Sequence, residues 1–259
     1  MRIPLYQVDA FTGKVFAGNP AAVCPLEAWP EDSLLQNIAT ENNLSETAFF
    51  VREGDAYRIR WMTPTAEVDL CGHATLASAF VIFRFIEPDA DRIVFRSRSG
   101  DLAVMREGDL LSLDFPANRP RPQAPPKKLL DAFPAQPSEV LCNRSFVLVY
   151  GSEDTVRNMK PDIRKLQDVE AFGAIITARG NEADFVSRFF VPQVGVDEDP
   201  VTGYAHTILV PYWAERLGRS KLRALQVSRR GGELFCEDRG DRVKIAGRAV
   251  LYLQGHIIL

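Results

Sequence analysis

Short runs in which apolar and polar residues alternate, bounded by turn-forming residues, recur along the chain, and each carries the signature of a half-buried β-strand. In the first part these runs cover Ile3–Ala10, Thr47–Val51, Tyr57–Thr63, Arg92–Ser97, Leu102–Met105 and Leu110–Phe115. Two stretches follow the helical period instead. Pro30–Ala39 opens with Glu31 and Asp32, acidic residues that suit the positive end of a helix dipole. Gly72–Ile86 is apolar almost all round, which predicts a buried helix. Pro116–Pro126 shows neither period and is rich in proline, so it reads as a linker between domains 1–117 and 118–259.

The second part repeats the order of the first: strand Ser145–Tyr150, helix Ser152–Leu166, strands Ala171–Ala178 and Asp184–Val191, helix Thr202–Leu217, then short strands to Leu259. The repetition extends to individual letters. Arg60-Trp61-Met62-Thr63-Pro64 with Val68-Asp69 matches Arg188-Phe189-Phe190-Val191-Pro192 with Val196-Asp197 at a single offset of 128. Gly72 and Ala74 match Gly203 and Ala205 at 131, and Gly100-Asp101-Leu102 matches Gly232-Glu233-Leu234 at 132. Offsets that drift by small indels in unbroken order indicate a duplicated domain with a pseudo-two-fold relation. In each half a strand ends in proline, passes a Val-Asp turn and feeds a helix that starts at glycine. The unpaired N–H groups and dipole of a helix start favour an anion, and a two-fold axis would bring the two starts together in one cleft.

Composition narrows the ligand. The chain has 259 residues with 31 Lys+Arg against 34 Asp+Glu, a formal charge of −3. That leaves no cationic excess to neutralise phosphates, so nucleic acid is not the expected partner, and a small molecule is. The start, Met1-Arg2-Ile3-Pro4, carries no apolar run of signal-peptide length, and the longest apolar run, Leu76–Phe83, is too short to span a bilayer. A cytoplasmic protein away from membranes is expected. Cys24, Cys71, Cys142 and Cys236 are widely spaced, which fits free thiols in a reducing compartment.

Three residues carry candidate chemistry. Glu46 opens an apolar strand, and its counterpart at the 128 offset is Ala174, so one half holds a carboxylate where the other has a methyl group. A desolvated carboxylate titrates nearer neutrality, as a proton shuttle requires; the plain alternative is an exposed glutamate at a strand start. His73 follows Gly72 in a first helical turn, where the dipole would lower its pKa, or where it simply bonds a backbone carbonyl. Asp199 precedes the second helix, and on spacing alone it reads as a cap. The three histidines have no Cys or carboxylate partner at metal-ligand spacing, and no Walker A, G-x-G-x-x-G or G-x-S-x-G pattern occurs. Gly18-Asn19-Pro20 reads as a turn, and Arg96/Arg98 and Arg229/Arg230 read as solvated strand faces.

Taken together, Asp9-Ala10-Phe11-Thr12 with Phe16 to Val23, Leu44-Ser45-Glu46-Thr47-Ala48-Phe49, Asp69 to Ala77 and Glu198-Asp199-Pro200-Val201-Thr202-Gly203 resemble the PhzF-like family of phenazine-biosynthesis isomerases, relatives of diaminopimelate epimerase and proline racemase. The resemblance implies an α+β fold of two pseudo-symmetric domains, each a mixed sheet curled around a central helix. It also implies a homodimer and a metal- and cofactor-free isomerase that moves a proton between carbons of a small carboxylic or amino acid. By the same resemblance Glu46 is the acid/base, His73 and Asp199 hold the substrate and assist, and Gly72 and Gly203 offer N–H groups to a carboxylate or enolate. Asn19 faces the substrate. Tyr204 departs from the small residue frequent in the family after Thr-Gly, and narrows the cleft or adds a donor. Two alternatives stand beside this: a non-catalytic binding protein on the same fold, and a two-thiol racemase or epimerase. Cys71 would supply one thiol of the latter, but no cysteine lies between Val191 and Pro211 to supply the second.

Overall fold

The computed structural model describes all 259 residues, which divide into two compact units: Met1–Asp114 with Ala246–Leu259, and Phe115–Ile245. The first unit contains strands β1 (Arg2–Ala10), β2 (Asn19–Leu26), β3 (Glu46–Glu53), β4 (Ala56–Met62), β5 (Glu67–Val68), β6 (Arg92–Ser97), β7 (Gly100–Glu107) and β8 (Leu110–Pro116), the last crossing into the second unit by two residues, with helices α1 (Asp32–Asn42) and α2 (Gly72–Val81). The second contains β9 (Arg121–Pro122), β10 (Glu139–Cys142), β11 (Phe146–Val149), β12 (Ala174–Arg179), β13 (Phe185–Val191), β14 (Val196–Asp199), β15 (Lys221–Gln226), β16 (Gly232–Asp238) and β17 (Arg242–Gly247), whose last two residues belong to the first unit. Its helices are α3 (Lys127–Asp131), α4 (Glu153–Asn158), α5 (Ile163–Gln167) and α6 (Gly203–Leu217). The final strand, β18 (Ala249–Ile258), returns to the first unit.

Strand pairing confirms the duplication read from the letters. In the first unit β1 runs antiparallel to β2, β2 parallel to β3, β3 antiparallel to β4, β4 parallel to β6 and β6 antiparallel to β7. The second unit repeats this alternation through β10, β11, β12, β13, β15 and β16. Each parallel step needs a crossover, and helices supply it: α1 between β2 and β3, α2 between β5 and β6, α4 with α5 between β11 and β12, and α6 between β14 and β15. The sheet of the first unit curls so that β1, β2, β3 and β18 all pack on α2, which explains why that helix is apolar almost all round. α1 covers the opposite face with Leu35, Ile38 and Ala39 against Ile3, Cys24, Phe49 and Met62.

Besides short elements that the sequence reading lacked, such as α3 and β10, three differences have a clear physical cause. β2 lies between β1 and β3, where the letters showed only a turn at Gly18-Asn19-Pro20; Pro20 and Pro25 disguise it, since proline is depleted from central strands. The predicted helix Ser152–Leu166 is two short helices with Lys160 and Pro161 between them, because proline brings no N–H and clashes with the preceding turn. Residues 249–258, read with the second half, pair with β1 from Arg2↔Ile258 to Ala10↔Ala249, which places the C-terminal strand in the first unit. The division at Asp114/Phe115 falls beside the proline-rich stretch. No helix is long and apolar enough to cross a membrane, and all four cysteines are free thiols.

The second core gathers Leu129, Phe133, Phe146, Leu148, Val156, Leu166, Ile176 and Phe190. α6 buries His206 completely, against Phe185, with Nδ1 donating to the Thr202 carbonyl at 2.8 Å. Burial pushes this imidazole down to about 4, so it is a neutral core histidine. A histidine depressed in the folded state binds its proton first in the unfolded chain, so stability falls as pH drops from about 6.5 towards 4. Denaturant unfolding across pH 6.5 to 4.5 is therefore expected to show His206→Gln with a slope against pH shallower than wild type by roughly 1.4 kcal/mol per pH unit. Equal slopes would show that His206 titrates normally.

Candidate active site

The candidate groups of the first unit sit at the ends of three central elements. Asn19 is the first residue of β2, reached through Gly18 at φ 65°. A Cβ at Gly18 would stand 2.1 Å from the Ala10 carbonyl oxygen and 2.6 Å from Thr12 Cγ2, so only glycine lets the chain turn here and bury Asn19. Glu46 is the first residue of β3, opposite Ala21. Its structural counterpart, Ala174, is likewise the first residue of β12, which preserves the contrast of carboxylate and methyl group. Cys71 occupies the N-cap position of α2 in extended conformation, followed by Gly72 and His73; no side chain caps this helix start, and no acid lies in its first turn.

These elements bring four of the residues together. His73 Nε2 lies 3.1 Å from Glu46 Oε2, with side chains only 8% and 19% exposed. Both atoms are sealed from solvent and make no aligned hydrogen bond, so the contact is ionic in geometry. On the other side of the ring, Nδ1 stands 3.3 Å from Asn19 Nδ2 and 3.5 Å from Cys71 Sγ. An amide nitrogen donates, so in the neutral imidazole Nδ1 accepts from Asn19 and the ring proton sits on Nε2, facing Glu46. Protonation places a second N–H towards the Cys71 sulfur.

The electrostatics correct one expectation. Helix-dipole reasoning lowers the His73 pKa. Burial does push it down, but the Cys71 sulfur and the Glu46 carboxylate outweigh burial and hold it well above the usual histidine range. Burial and the Glu46 charge push the Cys71 thiol up, and the neighbouring His73 pulls it the other way. The three donors Glu46, Cys71 and His73 lie within 4.8 Å of one another, a grouping that no spacing in the sequence reveals. Cys71 and Glu46 nevertheless face opposite nitrogens of a single imidazole. One metal ion cannot take all three without a side-chain rotation, and the arrangement suits a proton relay better than a metal cage.

In the second unit the N-cap of α6 is Thr202, not Asp199, and no side chain caps that start either. The Thr202 hydroxyl donates to Asp199 Oδ2 instead. Gln226, fully buried at the end of β15, holds the same turn: Nε2 donates to the Asp199 carbonyl at 2.7 Å and Oε1 accepts from the Thr202 N–H at 2.8 Å. Sequence reasoning missed Gln226, because a lone glutamine in a strand carries no signal until its partners are placed. A Cβ on Gly203 would meet nothing within 4 Å, so its backbone is open to approach. Tyr204 is held within its own unit, its hydroxyl 3.2 Å from Ser145 Oγ and its ring against Phe172 and Phe189.

A homologous fork anchors the turn before each central helix. Arg60 binds Glu67 through two bonds of 2.8 Å, and Arg188 binds Glu198 at 2.7 and 2.9 Å. Both pairs are largely shielded, which favours this bidentate geometry over an ordinary surface ion pair.

The family model for phenazine biosynthesis-like protein (PhzC-PhzF) matches residues 8–255. The chain belongs to this PhzF-type family. An uncharacterized isomerase of Pseudomonas aeruginosa is 52% identical over 260 residues, covering all of both chains. A crystal structure of a PhzF-family phenazine biosynthesis protein from Enterococcus faecalis superposes with TM-score 0.98 at 46% identity, again over the whole of both chains. A probable proline racemase from Agrobacterium radiobacter reaches TM-score 0.64 at 9% identity, over 99% of this chain and 93% of that one. Its likeness is one of fold, and it ties this PhzF-family chain to the racemase and epimerase architecture.

Two measurements check the site. Gly18→Ala forces a left-handed residue into contact with backbone, and urea unfolding should show a loss of about 2 kcal/mol or more; an unchanged midpoint would mean that the turn does not position Asn19. In an NMR titration the His73 ring should stay protonated above the ordinary histidine range, and Glu46→Gln should move its titration to lower pH. No movement would show that the 3.1 Å contact carries no charge interaction.

Proposed function

We propose that the protein is an isomerase that moves a proton between two carbons of a small carboxylic or amino acid, with Glu46 as the acid/base. The observation that carries this reading is the shielded Glu46–His73 contact at 3.1 Å. With one proton the pair is net neutral, and the second proton it takes from substrate makes it cationic, a charge balanced by the negative charge left on the substrate. In the forward step a substrate C–H bond breaks, the proton passes to the Glu46 carboxylate, and the electron pair is delocalised into the adjoining unsaturated or carboxylate group. Glu46 then returns the proton to a different carbon, and no electrons are gained or lost overall. Charge that develops on a substrate oxygen is met by the uncapped N–H groups at Gly72 and His73.

His73 is assigned to hold and assist Glu46, and Asn19 to orient the His73 ring. Asp199 and Gly203 are assigned to the substrate, supported by the family resemblance and, for Gly203, by the open space at its Cα; Tyr204, where this chain departs from the family pattern, is assigned to shaping the substrate space or donating its hydroxyl. The relatives named isomerases support the reaction class. The reading places the enzyme in the cytoplasm as a homodimer that needs neither metal nor organic cofactor.

The test is proton exchange at carbon. Unsaturated and cyclic carboxylic and amino acids are incubated with the protein in heavy water, and carbon-bound label is read by mass spectrometry. Wild type should label at least one acid; Glu46→Gln, folded by circular dichroism, should lose roughly 10²-fold or more of that rate, the contribution of a positioned general base. Equal labelling by the variant ends the assignment of Glu46, and no labelling across the panel favours the binding-protein alternative. Cys71 stands 3.5 Å from the His73 ring; abolished exchange in Cys71→Ser with Glu46→Gln still active would move the acid/base role from Glu46 to this thiol.

A further inference from the structure

The arginines of β4 and β6 form an array that the fold does not require. Arg58 and Arg96 are register partners on adjacent parallel strands, with Arg60 and Arg98 two residues further on. Like charges placed opposite each other across strands are destabilising. Carboxylates answer only part of the array: Asp55 pairs with Arg96, Asp32 and Glu67 with Arg60, and Glu67 again with Arg98. Arg58 is exposed and makes no ion pair.

The duplicated half shows which of these charges the architecture needs. Arg60 has its counterpart in Arg188, and both anchor the turn before a central helix. The register pair Arg58↔Arg96 corresponds to Val186↔Leu225, two apolar residues in the same strand pair. The cationic pair is therefore an addition of the first unit, carried by a protein whose overall formal charge is −3.

One of the added charges, Arg58, lines a cavity of about 190 Å³ walled also by Trp29, Asp32, Ile59, Arg60, Ser97 and Arg98. Arg60 lies over the Trp29 ring at 5.4 Å, which fixes the indole as one wall. Arg98 spends one nitrogen on Glu67 at 2.9 Å, and Arg58 spends none. Two guanidinium groups thus retain donors in the fork geometry that suits carboxylate and phosphate oxygens. The volume is below the roughly 300–1,000 Å³ of sites for drug-sized ligands, so the occupant is small.

We propose that this cavity is a binding site for a small oxyanion, a phosphate or carboxylate group clamped by Arg58 and Arg98 beside Trp29. It is independent of the isomerase reading, because none of its residues is assigned to proton transfer. The bound anion supplies the counter-charge that Arg58 lacks and offsets the repulsion among the arginines that line the cavity.

The test is calorimetric titration of the full chain with inorganic phosphate and, separately, with acetate, in a buffer of low chloride, with phosphorus NMR line broadening as a second readout. Saturable binding of either anion is expected, weakened about tenfold or more in Arg58→Ala and in Arg98→Ala, the usual consequence of losing a charge-assisted hydrogen bond. Both substitutions lie on exposed side chains and should leave the unfolding midpoint close to wild type. Binding of phosphate alone assigns the site to phosphate-bearing ligands, and binding of acetate extends it to carboxylates. Absence of saturable binding, binding equal in both variants, or equal competition by chloride would overturn the proposal.

Discussion

The contact between Glu46 and His73 is the constraint around which the first unit is arranged. A carboxylate and an imidazole 3.1 Å apart with their facing atoms cut off from water are stable only as a matched pair, since either charge alone would carry a large desolvation cost. Neighbouring features serve to keep that pair in register. Gly18 turns the chain where no other residue fits, Asn19 fixes one nitrogen of the ring, and the extended Cys71 starts α2 so that His73 falls in its first turn. The sheet curled around α2 supplies the apolar surroundings that make the pairing matter.

The two units share a framework but not the side chains set in it. Both use an arginine–glutamate fork to hold the turn that launches the central helix, and both start that helix without a capping side chain. A helix start left uncapped in two related places is a positive end available to an anion. What differs is the group beside it. The first unit places Glu46 and His73 there, whereas the second has Ala174 at the matching strand start and uses Gln226 to tie Thr202 to Asp199. Duplication has supplied the scaffold twice, and divergence of a few side chains has set different groups beside the two helix starts.

Much of this was legible in the letters, for identifiable reasons. Alternation found most of the longer strands because one face of each packs on a core, and the all-round apolar pattern of Gly72–Ile86 announced a helix enclosed by a sheet. The offset of 128 exposed the duplication, and the pairing order of the strands repeats accordingly. The strand at Asn19–Leu26 was not legible, because its prolines oppose the local preference and only its position between β1 and β3 overrides them. The break near Pro161 was a local signal outweighed by an apolar period that continues across it.

The sequence by itself determined the two-fold repetition, the family, and the residue types capable of moving a proton, since these depend on the order of side chains and on local periodicity. Only the tertiary structure decided which of those groups meet. Contact between Glu46, Cys71 and His73, the upward shift of the imidazole, the hold of Gln226 on Asp199, and the unpaired Arg58 in its cavity all depend on distances across elements far apart in the chain. Coulombic and desolvation energies vary with separation in space and with exclusion of water, and neither quantity is written in the spacing of letters.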